Sequence, residues 1–307
     1  FGKTFAKDIP LLSNINSRNN ISLNGKWNYI VDPLENGYYD YRLMPFQTNG
    51  FFENKKFSNK YLVEYNFETS PTMDIPSDWN TFDKSFFFYE GTMWFKKDFV
   101  YKKTSNTKGI LYFGAVNYDA KVYVNGKFVG QHVGGYTPFN FDVTDELVDG
   151  NNFVVVKVDN KRHKDNVPTV NMDWWNYGGI TREVFLSQVP DTYIEDYLIQ
   201  LDKTKKDQIS GWIKLNNSMA SKSLSIEIPE LKIKQKIVTD EKGMAYFSIK
   251  AKPALWTPEV PKLYDVIINS SDESINDKIG FRTIETKGKE ILLNGKKVFL
   301  RGISIHE

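Results

Sequence analysis

The 307-residue chain carries 40 Lys and Arg against 38 Asp and Glu, a formal net charge of +2, which argues against a dedicated nucleic-acid binder with its marked excess of basic residues. Its 40% hydrophobic and 25% charged residues argue against disorder, and the absence of cysteine excludes disulfide staples, thiol nucleophiles and Cys-ligated metal sites. No apolar run approaches the ~20 residues a membrane span needs. The chain opens at Phe1 without a basic-then-apolar leader, which fits either a removed leader or a trimmed sequence. The compartment stays open on these grounds, with a periplasmic or secreted setting taken ahead of the cytoplasm.

In chain order, the periodicity is that of strands. Asn24-Gly25 reads as a hairpin turn, because Asn-Gly tolerates positive φ at both central positions. Residues 109–116 and 119–125 read as strands, with Ala120, Val122 and Val124 sharing one face. Asn125-Gly126 closes the next hairpin, and Gly134-Gly135 reads as a tight turn. Residues 142–148 suggest a short helical turn with Thr144 as its N-cap. Near Pro190 the composition turns Lys- and Ser-rich, and short alternating strands such as 223–228 and 245–249 follow. Lys-rich stretches at 203–206 and 232–236 read as solvated edges that discourage edge-to-edge pairing. A second break falls near Glu285, followed by a hairpin over 291–300 with Asn294-Gly295 at its turn. The expected fold is all-β: a jelly-roll β-sandwich over 1–190, then an immunoglobulin-like β-sandwich over 191–285.

Three histidines, His132, His163 and His306, are too few and too far apart for a His-rich metal cluster, so neither a metal nor another cofactor is expected. Neither a phosphate-cradling Gly-x-x-x-x-Gly-Lys-Ser/Thr nor a Gly-x-Ser-x-Gly nucleophile elbow occurs. The informative stretch is 170–180, where Asp173 is followed by Trp174, Trp175, Asn176, Tyr177 and two glycines. Aromatic faces pack on the C–H surfaces of sugar rings, while Asp and Asn fix hydroxyls by directional hydrogen bonds. The alternative is that the Trp pair lies in a sandwich core and Asp173 forms a turn. Carboxylates are numerous, and spacing alone selects no acid/base pair.

Several stretches in order resemble the amino-terminal half of a family 2 glycoside hydrolase, the group of β-glucuronidases, β-galactosidases and β-mannosidases. They are Leu23-Asn24-Gly25-Lys26-Trp27, Ile75-Pro76-Ser77-Asp78-Trp79, Tyr89-Glu90-Gly91-Thr92-Met93-Trp94-Phe95, and the run from Phe113 through Asn125-Gly126 to Phe139. Trp175-Asn176-Tyr177-Gly178-Gly179-Ile180 resembles the signature that closes the family's first domain, in a form closer to glucuronidases than to well-known galactosidases. Leu255-Trp256-Thr257-Pro258 resembles its immunoglobulin-like module, and the run from Leu293 to Gly302, ending in His306-Glu307, resembles the start of its catalytic barrel.

The resemblance implies that 286–307 is the first hairpin and strand of a truncated (β/α)8 barrel. It further implies a retaining exo-β-glycosidase whose acid/base and nucleophile glutamates, about 5 Å apart, lie on later barrel strands and not in this chain. Asp173, Trp174, Asn176 and His306 are then the candidate substrate-binding residues, with a carbohydrate as the partner and no nucleic acid. Two other functions are weighed: a stand-alone carbohydrate-binding protein, and a scaffold for homo-oligomer contacts.

Overall fold

The structure, a computed structural model, describes residues 9–54 and 65–304. They divide into two compact units: one holds residues 20–188 and the residues just before Leu12, the other holds Leu12–Asn19 and the chain from Val189 onward.

The first unit is a sandwich. Its larger sheet has six strands in the spatial order Thr72–Ile75, Gly25–Val31, Thr92–Tyr101, Gly150–Asp159, Asp119–Val124 and Lys127–Val133, all antiparallel to their neighbours. The facing sheet has four, in the order Asn19–Ser22, Val184–Pro190, Thr107–Phe113 and Phe139–Asp142. Between them lie Trp27, Trp79, Phe95, Phe113 and the alternating Ala120, Val122 and Val124, all buried as the period-2 pattern predicts.

Alternation fails at Thr92–Lys96, where every residue is buried. Met93 and Phe95 face the sandwich core, whereas Trp94 faces outward into a second apolar cluster with Ile30, Phe52, Phe67, Tyr123 and Val155. An excursion after Val31 supplies this cover: Phe52 stacks on Tyr123 with ring centres 4.5 Å apart, and Phe51 meets Trp94 edge-on at 5.7 Å. A strand covered on both faces reads as a continuous apolar run. Polar groups in this outer layer are paired. Asp32 accepts from the Trp94 indole at 2.9 Å and from the amides of Asn36 and Gly37, and Lys157 pairs with Glu35 at 3.2 Å.

The second unit packs a three-stranded sheet (Ile194–Leu201, Gln208–Leu215, Met244–Lys250) and a four-stranded one (Ile233–Val238, Ser223–Ile228, Tyr264–Asn269, Ser274–Ile279) around an Ile- and Leu-rich core. Lys-rich Ile233–Val238 is an edge strand, as expected. Leu12–Asn19 is anchored by Arg18, which pairs with Glu273 at 2.8 Å and donates to the carbonyls of Ser13 and Ile194. A separate hairpin sheet follows, Ile284–Lys287, Glu290–Leu293 and Lys296–Lys297. Its first turn lies at Gly288, so it begins earlier than the 291–300 hairpin expected from sequence. No strand is assigned to residues 298–304: Val298 still donates to the Ile291 carbonyl at 3.0 Å, and the ladder ends there.

Two local expectations are corrected. Asn125-Gly126 and Asn294-Gly295 have positive φ at both positions and do turn hairpins, but at Asn24-Gly25 only the glycine does. The strands it joins lie in different sheets, so that segment crosses the sandwich; Asn24 instead accepts from the Val184 amide at 2.9 Å. Residues 143–149 form a turn and no helix. Asp142 caps it by accepting from the Thr144 amide at 3.1 Å, while the Thr144 hydroxyl accepts from the Gly109 amide, so Thr144 serves the neighbouring strand.

Candidate sugar-contacting site

The segment 170–180 is held at its far end by a three-stranded ladder in which Gly179–Ile180 lies between Ser77–Asp78 and Val116–Asn117. The two glycines have separate physical causes. A Cβ on Gly178 would sit 2.0 Å from the ring of buried Trp79, and one on Gly179, at φ +143°, would sit 2.6 Å from the Ser77 carbonyl oxygen. Gly178 also donates to Asn80 Oδ1 and accepts from the Trp79 amide, both at 2.9 Å.

Asn176 belongs to this scaffold. Its side chain is buried; Oδ1 accepts from Asn117 Nδ2 at 3.0 Å and Nδ2 donates to the Asn160 carbonyl. Asn160 Nδ2 returns a bond to the Asn176 carbonyl at 2.7 Å, and Asn160 Oδ1 accepts from the Gly91 amide at 2.8 Å. Asn80 Nδ2 donates to the carbonyls of Phe86, Phe87 and Tyr89, which fixes the adjacent loop. Buried amides bonded to backbone and to one another in this way impose geometry, because breaking such a bond leaves a buried group unpaired.

Asp173 and Trp174 are exposed, the latter by 42%. Neither lies in a sandwich core, whose large indoles are Trp27 and Trp79. The loop backbone around Asp173 is held by Arg162: Nη1 donates to the Met172 carbonyl at 2.8 Å and Nη2 to the Trp174 carbonyl at 2.7 Å. Arg162 Nε donates to Glu90 at 2.8 Å, so one guanidinium joins the Asp173 loop to the loop over 83–90. Trp175, half-buried, packs against Phe87 at 4.6 Å and Phe88 at 5.4 Å. Burial, reinforced by Asp32, Asp159 and Glu35, raises the Tyr89 phenol far above its ordinary range, which leaves it a fixed donor to the Thr92 carbonyl at 2.7 Å.

His306 lies outside the described residues. His132 stacks on Phe139 at 4.2 Å and its pKa is lowered by burial; His163 is exposed. Asn80, Asn117, Asn160 and Arg162 were not singled out from sequence. Asn80 and Asn117 are distant in the chain from 170–180, whereas Asn160 and Arg162 lie just before it, and a side chain that will bond a buried backbone carries no local mark. Chemically, the rim offers a carboxylate on a rigid backbone beside aromatic faces, which suits gripping hydroxyls. Glu90 is engaged by Arg162, so that carboxylate serves to hold the Asp173 loop.

Residues 21–190 match the family model described as glycosyl hydrolases family 2, sugar binding domain, and residues 192–282 match the model for glycosyl hydrolases family 2. The chain belongs to glycoside hydrolase family 2. It is 30% identical to a putative β-glucuronidase of Formosa agariphila over 83% of this chain and 33% of that protein. It is 31% identical to a β-galactosidase of Thermoanaerobacter pseudethanolicus over 94% of this chain and 39% of that protein. Among solved structures, a β-glucuronidase from an uncultured Clostridium superposes with a TM-score of 0.71 at 26% identity, covering 95% of this chain and 49% of that one. A Ruminococcus gnavus β-glucuronidase, at a TM-score of 0.74 and 23% identity, supports the same fold. The chain thus spans 33–39% of these curated relatives.

Proposed function

We propose that this chain is the sugar-contacting front portion of a retaining exo-β-glycosidase that removes terminal β-linked sugars, of β-glucuronidase or β-galactosidase type. Asp173 holds substrate hydroxyls, Trp174 flanks the same sugar, and Asn176 acts by positioning the loop. His306 serves the same sugar from the start of the barrel. The acid/base and nucleophile glutamates lie beyond these 307 residues, in line with the 33–39% of relatives that the chain spans. The observation that carries the reading is the exposed Asp173 carboxylate on a backbone held at both neighbouring carbonyls by Arg162.

The test is Asp173→Ala in the full-length protein. Hydrogen bonds to a charged group contribute about 1.5–3 kcal/mol, so kcat/KM falls by roughly ten- to 150-fold. An unchanged kcat/KM overturns the role. The 307-residue chain alone is expected to leave 4-nitrophenyl β-glycosides intact, and turnover by it would overturn the placement of the glutamates.

A further inference from the structure

We infer that Phe87, Phe88 and Trp175 form a stacking platform for a pyranose ring, and that this ring is the one on the leaving-group side of the bond cut. Phe88 is 82% exposed and Phe87 44%, which is unusual for two adjacent phenylalanines on a well-anchored loop. They meet edge to face at 4.9 Å, and both contact Trp175.

The rings are held in place. Asn80 fixes the carbonyls of Phe86, Phe87 and Tyr89, Asp83 accepts from the amide and hydroxyl of Ser85, and Tyr89 ties the loop end to Thr92. An exposed apolar surface whose backbone is already ordered loses little entropy on binding. Its occupant is argued from its rim. Glu90, held by Arg162, follows Phe88 by two residues, and Asp173 precedes Trp175 by two. Aromatic faces edged by directional polar groups suit a sugar, which offers C–H faces and equatorial hydroxyls, better than a lipid or a continuous apolar partner. The whole arrangement falls within the residues that match a sugar binding domain. Assignment to the leaving-group side rests on the proposed role of Asp173 at the terminal sugar, since Arg162 ties the two loops together and sets the rings beside that grip.

The experiment uses the 307-residue chain with three probes, cellotetraose, β-1,4-galactotetraose and a hyaluronan tetrasaccharide, observed by saturation-transfer NMR with Trp fluorescence in parallel. At least one probe is expected to receive saturation at its axial ring protons. Phe88→Ala should weaken binding about ten-fold, the loss of a stacking contact near 1.4 kcal/mol, and Phe88→Tyr should retain it. Phe88 is so exposed that its replacement leaves the melting temperature unchanged, which separates contact loss from unfolding. Tyr246→Ala, which removes an exposed aromatic on the second unit, should leave saturation of the platform sugar in place. Absence of transfer to all three probes overturns the proposal, as does binding that survives Phe88→Ala unchanged. Transfer abolished by Asp173→Asn but kept by Phe88→Ala retains the hydroxyl grip and rejects the platform.

Discussion

Arg162 donates from Nε to Glu90 at 2.8 Å, and its two remaining nitrogens donate to the carbonyls of Met172 and Trp174 on either side of Asp173. One planar group therefore fixes the backbone that aims an exposed carboxylate and joins it to the aromatic loop. Lysine could replace the charge but not three divergent, directional bonds.

Arg162→Lys is accordingly expected to loosen the loop over 163–176 while leaving the sandwich folded. Losing hydrogen bonds worth about 1.5–3 kcal/mol should speed amide exchange there by roughly ten- to 150-fold. Exchange by mass spectrometry measures this, and unchanged protection would reject the clamp.

Asn176→Ala should act on stability. It strands the Asn160 carbonyl and leaves one of the two Asn117 Nδ2 hydrogens unpaired, the other still bonding the Tyr177 carbonyl, in a buried setting where an orphaned group costs about 1–3 kcal/mol. Urea denaturation should show a loss of about 2–4 kcal/mol, against less than about 0.5 kcal/mol for Asp173→Ala on the exposed side of the same loop. Equal effects would mean that the two side chains do not divide the roles of support and contact.

Glu35 sets an acid limb. Burial disfavours its charge, but Lys157 and hydrogen bonds with Thr92 and Lys161 outweigh burial and lower the carboxyl from 4.5 to about 2. With the folded pKa below the unfolded one, its contribution is full above about pH 4.5 and is lost as the pH falls toward 2. The pH dependence of the unfolding free energy should be shallower in Glu35→Gln over that window; parallel curves would show that the pair adds nothing.

In the second unit, Arg18 and Glu273 are paired with side-chain exposures of 2% and 11%. Burial lowers the Arg18 pKa and raises that of Glu273, with the ion pair opposing both shifts. Arg18→Ala leaves a buried carboxylate without its counter-ion, with the Ile194 amide still donating to it, and should cost about 3–5 kcal/mol. Replacing both by apolar residues of similar volume, Arg18→Met with Glu273→Leu, should recover most of the loss, as read from denaturation midpoints. A double variant as unstable as the single one would show that the bonds from Arg18 to the Ser13 and Ile194 carbonyls dominate.

Much of the fold is legible because strands and turns are local. Ala120, Val122 and Val124 fall on one face by the period of two, and Asn125-Gly126 turns a hairpin because both residues tolerate positive φ. The same dipeptide at Asn24-Gly25 does not, because whether adjacent strands pair or part is settled by neighbours such as Val184, 160 residues away in the chain. The 170–180 segment stood out through its aromatics and glycines, whereas the Asn80, Asn117, Asn160 and Arg162 side chains that hold it in place did not.

What the sequence determined by itself was the all-β pattern, the principal hairpins and the stretch around Asp173, since each depends on residues within a few positions of one another. Tertiary structure alone decided that Trp94 is covered on the outer face, that Lys157 is buried against Glu35, and that Asn176 points inward while Asp173 faces solvent. Burial is a property of what packs over a side chain, and the covering residues come from segments that no local window joins.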